Sequence, residues 1–113
     1  MNEIEKNTVH PFHYNKEGRK ECWVEQENAY GTFAVVCFDI CNAHKYMYRA
    51  GLKDANPKEQ DVAKIKNYIT HANKLTETLN DRERTLAYNM LGTLERYLEK
   101  EGLKACLKKT KLH

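Results

Sequence analysis

The 113-residue chain contains no serine, only two prolines and only five glycines, none of which lies close to another. A phosphate-binding loop needs a glycine-rich turn that ends in Gly-Lys-Ser or Gly-Lys-Thr, and isolated glycines cannot build one. The lack of serine also removes the commonest hydroxyl nucleophile, and no cysteine lies in a recognisable catalytic context. The sequence therefore excludes a conventional P-loop kinase and offers no candidate nucleophile.

Long apolar runs are absent as well. No stretch reaches the roughly 18 apolar residues of a membrane-spanning helix, and no signal-peptide pattern occurs, so we expect a cytoplasmic protein without membrane contact. The four cysteines could form two disulfides, but free thiols are expected where nothing indicates export. Cys37, Cys41 and His44 share one side of one helix, whereas structural zinc takes ligands from paired short turns, so we expect no metal site.

Positive and negative charges nearly balance. Nineteen Lys and Arg against sixteen Asp and Glu give a net charge of +3, and no nucleic-acid recognition motif is present, so nucleic acid is not an expected partner. The length suffices for a single domain with one modest core. Seven tyrosines are many for this length, and tyrosine is a residue of interfaces and of ring stacking as well as of cores.

Hydrophobic periodicity predicts an all-α fold, a small bundle of three main helices after an irregular N-terminal segment. A short helix is expected over residues 21–29. The first main helix is predicted from about Phe33 to Ala50, with Thr32 as its N-cap and Gly51 as its stop.

The other two main helices follow from their start and stop signals. Asn56-Pro57 predicts a start with Pro57 at the first helical position, and this second helix should run to about Leu79. Asn80-Asp81 predicts the cap of a third helix, which Gly102 ends. Residues 80–113 then comprise this C-terminal helix and a basic tail within the single domain.

Each of the first two main helices carries an apolar stripe and a polar-aromatic stripe. In the first, the apolar stripe is Val36, Ile40, Ala43, Met47 and Ala50, and the polar one, about 130° away, is Asn42, Lys45, Tyr46 and Arg49. In the second, the apolar stripe is Val62, Ile65, Ile69, Ala72, Leu75 or Thr76, and Leu79, and the polar one is Asp61, Lys64, Tyr68 and His71. The third helix is predicted to bury Leu86, Met90, Leu94 and Tyr97 or Leu98.

If the first two helices pack as an antiparallel pair, their polar stripes border a common groove. A row of amide, ammonium, phenol and guanidinium suits an anionic ligand with a flat ring, which in practice suggests a nucleotide. Without a P-loop, side chains must hold the phosphate, and the candidates are Lys45, Arg49, Lys53 and Lys64. A solvated face or an oligomer contact would give the same stripe.

The motif Asn42-x-x-Lys45-Tyr46-x-x-Arg49, followed by Asp61-x-x-Lys64-x-x-x-Tyr68, resembles a known family. With the segments His13-Tyr14 and Glu21-Cys22, the resemblance covers roughly residues 10–72. The family is a small bacteriophage domain of unknown function, commonly described as nucleotide-kinase-like after a phage deoxynucleoside monophosphate kinase that contains it. This chain has Cys41 where the family usually has glycine, and Trp23-Val24 where it tends to an aliphatic-Asp pair.

The resemblance implies an all-helical phage protein that binds nucleotides in the cytoplasm of an infected bacterial host. Carried over by position, the signature residues that it implies are His13, Tyr14, Asn42, Lys45, Tyr46, Arg49, Lys53, Asp61, Lys64 and Tyr68.

The leading hypothesis is a nucleotide-binding protein that transfers phosphate to a deoxynucleoside monophosphate, with Mg²⁺ and a nucleoside triphosphate. Lys45, Arg49 and Lys64 would hold phosphates and stabilise the charge that develops during transfer. Asp61 would hold magnesium or orient a hydroxyl. Asn42 would hydrogen-bond a base or sugar, and the base would stack on Tyr46, Tyr68 or His13-Tyr14.

Two other classes of function fit the same residues. A non-catalytic sponge would sequester a host immune signalling nucleotide, of cyclic or ADP-ribose type, in the same basic and aromatic groove. A helical adaptor would use the Tyr and Arg stripe as a protein interface. A homo-oligomer is expected, and residues outside the family-like core are its expected contacts.

Overall fold

The computed structural model describes residues 22–52 and 57–103, and every regular element in these ranges is an α-helix. The all-α prediction is confirmed, but the count of three main helices is one too low, because the short helix predicted before them packs on the bundle as a fourth element. The helices are α1 (Cys22–Tyr30), α2 (Thr32–Arg49), α3 (Lys58–Thr76) and α4 (Asp81–Lys100).

A single glycine separates α1 from α2. Gly31 has a φ of 95°, which side-chain-bearing residues rarely adopt, and it occupies the N-cap of α2. The prediction that Thr32 is the cap is wrong, since Thr32 is the first helical residue and its hydroxyl donates to Glu27 Oε2 at 2.9 Å. Gly51, with a φ of 79°, ends α2 as predicted.

The start of α3 also differs by one residue. Pro57 is the N-cap and Lys58 the first helical residue, so the predicted position of Pro57 inside the helix is wrong, and Asn56 lies outside the described residues. Glu59 and Asp61 in the first turn complement the positive end of the helix dipole. The helix ends at Thr76, three residues before the predicted end.

Both ends of α4 follow the predicted signals. The side chain of Asn80 accepts a hydrogen bond from the Glu83 N–H at 2.9 Å, and so caps the helix. At the other end Gly102 has a φ of 73°, and the Leu103 N–H donates to the Leu98 carbonyl at 2.8 Å in a Schellman turn. Leu98 and Leu103 are both buried, so the turn also closes this end of the core.

The core lies between α2 and α3, and α4 covers one side of it. The predicted apolar stripes of α2 and α3 are largely buried, and the predicted inner face of α4 is confirmed at Leu94 and Leu98 but wrong at Leu86. Leu86 and Tyr97 are each 45% exposed, and the buried set on α4 is Ala87, Leu91, Leu94 and Leu98. Leu86 and Ala87 begin lines of apolar residues that differ by a rotation of about 100° around the helix, and the spacing alone does not decide which of the two is buried.

No described helix has both the length and the apolar character needed to cross a membrane. Cys22, Cys37 and Cys41 are free thiols, and Cys106 lies outside the described residues.

The cap of α4 gives a test of the fold. Replacing Asn80 with Ala should lower the free energy of unfolding by about 1 kcal/mol, because an orphan N–H of the first turn loses its acceptor. Asn28→Ala is the matched control, since Asn28 is exposed within α1. Urea denaturation followed by circular dichroism measures both, and an equal effect of the two changes would contradict the assignment of the cap.

Candidate functional site

The polar stripes of α2 and α3 face each other in a regular antiparallel register. Asp39 Oδ2 is hydrogen-bonded to His71 Nδ1. Tyr46 follows Asp39 by seven residues and Lys64 precedes His71 by seven, and here Lys64 Nζ lies 4.8 Å from the centroid of the Tyr46 ring. The same register, continued by one turn, places Arg49 level with Asp61. The predicted common border of the two stripes is therefore present.

Three cationic groups converge on the ring of Tyr46. Lys45 Nζ lies 5.0 Å, Arg49 Cζ 5.2 Å and Lys64 Nζ 4.8 Å from the ring centroid. The Tyr46 ring also stacks on Tyr68, with centroids 5.9 Å apart and planes inclined by 11°. We call these five residues, Lys45, Tyr46, Arg49, Lys64 and Tyr68, the tyrosine–cation cluster.

The cluster concentrates positive charge. Because each cation is within about 5 Å of one centroid, any two are within about 10 Å, the Debye length at 0.1 M salt, and their repulsion is poorly screened. In the described ranges neither Lys45 nor Arg49 forms an ion pair, and the buried Arg49 Nε has no hydrogen-bond partner there. An anion at this position would relieve the repulsion and satisfy the guanidinium.

Tyr68 connects the tyrosine–cation cluster to the core. It is fully buried, and its ring meets the edges of Trp23 and Phe38, with centroids 5.8 and 6.2 Å away. Burial raises the pKa of Tyr68, so its phenol stays protonated. Tyr46 is only half-buried, and it is therefore the more accessible ring of the stack.

Asp61 lies one helical turn before Lys64 and is fully buried. Within the described part of the chain, neither of its carboxylate oxygens has a hydrogen-bond partner. A buried carboxylate without partners is costly, and such costs persist mainly where a function requires the group. Asp61 and Arg49 thus share one level of the helix pair, where two carboxylate oxygens and one guanidinium nitrogen are buried without a hydrogen-bond partner among the described residues.

The remaining predicted residues are placed as follows. Asn42 is half-buried, and its amide nitrogen donates to the Phe38 carbonyl at 2.8 Å, which leaves its amide oxygen as the acceptor for a ligand. His13, Tyr14 and Lys53 lie outside the described residues. Among the described side chains, no three His, Cys, Asp or Glu come together in a group that could hold a metal ion.

Sequence reasoning missed a hydrogen-bonded pair at the other end of the helix pair. Asp39 is fully buried, its Oδ2 is 2.6 Å from His71 Nδ1, and the ring of Trp23 stacks on His71 at 3.8 Å. Burial raises the pKa of the Asp39 carboxyl, and the hydrogen bond and charge of His71 oppose this shift. Asp39 lies three residues before Asn42, so extending the polar stripe by one step would have found it.

The Asp39–His71 pair should be mainly structural. His71→Ala leaves a buried carboxylate without its imidazole, so we expect a loss of about 3 kcal/mol in the free energy of unfolding. Asp39→Ala combined with His71→Ala should cost clearly less than the sum of the two single changes, because the isolated charge is gone. His44→Ala is the control, since within residues 22–52 and 57–103 His44 contacts a ring but no carboxylate. Urea denaturation of all four variants measures this, and strict additivity would contradict the pairing.

Comparison with known proteins places this site in a family. Residues 8–70 match the model of a family described as protein of unknown function (DUF3310). No curated protein and no solved structure matches the chain. The matched range includes the whole tyrosine–cation cluster and Asp61, and it ends one residue before His71. Because the match covers more than half of the sequence, the chain belongs to the DUF3310 family.

Proposed function

We propose that the protein binds a nucleotide at the tyrosine–cation cluster. The observation that supports this best is the convergence of three cationic groups on one partly accessible aromatic ring. The cations would hold the phosphate, and the ring of Tyr46 would stack on the base. The partly accessible tyrosine–cation cluster thus supplies both kinds of contact that a nucleotide needs.

Hydrogen bonds from the three cations to an anion should be stronger than their present contacts with the Tyr46 ring. A cation over a tyrosine ring is worth about 0.5–1 kcal/mol at an accessible site, whereas a hydrogen bond to a charged group is worth about 1.5–3 kcal/mol. A phosphate would therefore draw Lys45, Arg49 and Lys64 away from the ring. The face of Tyr46 would then be uncovered for the base, which links phosphate binding to base stacking.

A purely solvated stripe fits these contacts less well. Lysine and arginine on a solvated face extend into water and separate, because they repel each other. Here two lysines and an arginine from two different helices point at one ring, and Arg49 buries its Nε. This geometry supports a ligand site over a solvated face.

Phosphoryl transfer is the catalytic form of this proposal. Mg²⁺ is usually held by one or two carboxylates together with substrate phosphates, and Asp61 is a buried carboxylate on the same helix face as Lys64. With a nucleoside triphosphate and Mg²⁺, Lys45, Arg49 and Lys64 would stabilise the charge on the transferred group, and Asp61 would hold the metal or orient the acceptor hydroxyl. A deoxynucleoside monophosphate is the proposed acceptor.

Binding without chemistry is the second candidate, and the scarcity of acids supports it. The facing stripes contain only two carboxylates, Asp39 and Asp61, and Asp39 is hydrogen-bonded to His71. A protein of this kind would sequester a signalling nucleotide, of cyclic or ADP-ribose type, in the cytoplasm of a phage-infected host. Phage origin and a role against host defence belong to this proposal and follow from the resemblance alone.

Arg49 gives the direct test of binding. We expect at least one class among mononucleotides, dinucleotides, cyclic nucleotides and ADP-ribose to raise the melting temperature of the wild-type protein, because ligands that prefer the native state stabilise it. Arg49→Ala should weaken that binding at least tenfold in calorimetry, which corresponds to the loss of about 1.5–3 kcal/mol from a charged hydrogen bond. Arg96→Ala, an exposed arginine on α4, is the matched control.

The outcomes separate the candidates. No thermal shift with any nucleotide, or equal binding by the two arginine variants, would overturn the proposed site. If a nucleotide binds and is recovered unaltered after incubation with ATP and Mg²⁺, the sponge is supported. Formation of a deoxynucleoside diphosphate would support phosphoryl transfer.

Asp61 should show opposite effects on stability and on binding. Asp61→Asn removes a buried charge that has no hydrogen-bond partner among the described residues. We expect the cost of burying this charge to exceed its favourable interaction with the helix dipole, so the ligand-free protein should gain about 1 kcal/mol in its free energy of unfolding. The same change should weaken nucleotide binding, because the group that meets the hydroxyl or metal is lost. Urea denaturation and calorimetry measure the two effects, with Glu59→Gln, an exposed acid in the same turn, as control. Loss of stability in Asp61→Asn would instead show that the carboxylate is a structural element.

A further inference from the structure

Helix α4 has two seams of equal spacing, an apolar inner one and an outer one that is apolar except at Thr93. The inner seam packs in the core and consists of Ala87, Leu91, Leu94 and Leu98. The outer seam is displaced from it by one residue and consists of Leu86, Met90, Thr93 and Tyr97. Both have the four-three-four spacing with which helices pack along one another. Among the described residues, the outer seam is only partly covered, by the core contacts of Met90 and by the ring of His44 against Tyr97, so it has a face suited to another helix.

The outer seam borders an open groove. Leu86 and Tyr97 are each 45% exposed, and the groove of about 320 Å³ lies between α4 and the α2 residues Ile40 and His44. The ring of His44 meets the edge of Tyr97 with centroids 5.1 Å apart, so α2 extends the apolar surface sideways. The surface lies outside the range matched by the family over most of its length, and it is separate from the tyrosine–cation cluster.

Opposite charges mark the two ends of the outer seam. Arg82 lies four residues before Leu86, and Glu101 lies four residues after Tyr97, so both continue the same line along the helix surface. Both are exposed, and in the described ranges neither has an ion-pair partner. From the N-terminal to the C-terminal end of α4, the outer seam therefore has a cation, a mainly apolar centre and an anion.

Two copies of this seam are complementary when they run in opposite directions. If a second copy packs antiparallel along the seam, Arg82 meets Glu101 of the second copy, and Leu86 meets Tyr97 of the second copy, at both ends of a two-fold interface. A parallel arrangement would oppose Arg82 to itself and Glu101 to itself, which is unfavourable. An antiparallel pair also aligns the two helix dipoles favourably.

We propose that the outer seam of α4 is a homodimer interface in which two copies pack antiparallel about a two-fold axis. The occupant is a second copy of this chain, because the charges at the ends of the seam complement each other only in that arrangement. The interface leaves the nucleotide site on the α2–α3 face free, so dimerisation and the proposed function can be tested separately.

The oligomeric state tests the apolar centre. Sedimentation equilibrium should show a dimer for the full chain at about 100 µM, a range that detects even weak association, and a monomer for Leu86→Glu. Leu52→Glu is the matched control, since Leu52 is 72% exposed at the end of α2 and lies off the seam. Circular dichroism must show that both variants are folded. A monomeric wild-type protein, or a Leu86→Glu variant that is folded and still dimeric, would overturn the proposal.

Charge exchange tests the antiparallel arrangement independently. Arg82→Glu and Glu101→Arg should each raise the dissociation constant about tenfold, because each opposes like charges at both ends of the interface. Combining the two changes restores opposite charges, so the double variant should return to within about threefold of the wild-type dissociation constant. A double variant as weak as the single ones would overturn the antiparallel packing, and charge changes without any effect would show that the dimer forms elsewhere.

Discussion

The register between α2 and α3 determines where every functional candidate lies. Each helix has an apolar stripe and a polar stripe, so once the apolar stripes pack, the polar ones must meet along one edge of the pair. The hydrogen bond between Asp39 and His71 fixes this register at one end of the pair. A shift by one residue would break that bond and move Lys64 away from the Tyr46 ring. The cluster therefore depends on the core packing beneath it.

The two ends of the α2–α3 pair each bury a carboxylate, but the partners of the two carboxylates differ. At the first end, the carboxylate of Asp39 is paired with an imidazole that a tryptophan covers. At the other end, the carboxylate of Asp61 and the Nε of Arg49 are buried without partners among the described residues. Asp39 Oδ1 is also buried without a partner among the described residues, so the two ends differ in the imidazole that Asp39 has and Asp61 lacks. This contrast supports the location of the site at the second end.

Most of the architecture could be predicted because helix signals are local. Asn80 and Gly102 each act within one turn of the chain, and both were interpreted correctly. On α4 the burial of Leu94 and Leu98 could be predicted, but the burial of Ala87 in place of Leu86 could not, because these two residues start seams of equal spacing and only the neighbouring helices decide which is buried. Asp39 and the burial of Asp61 were missed for a related reason, since a carboxylate on a helix is expected at the surface until its partners are known. Helical spacing predicts that Lys45, Tyr46 and Arg49 share one face of α2. The convergence of the three cations on the Tyr46 ring depends on how the two helices pack, which spacing does not determine.

The way α1 is attached has a consequence for native-state dynamics. None of the residues of α1 is fully buried. Gly31 joins α1 to α2, and the ring of Trp23 packs α1 against His71 and Tyr68. Backbone amides in such a segment exchange with deuterium through local opening, at a lower free energy than global unfolding. Detachment of α1 would move the chain's single indole from its ring contacts into water, so the emission spectrum of Trp23 would report an opening that uncovers the buried side of the tyrosine stack.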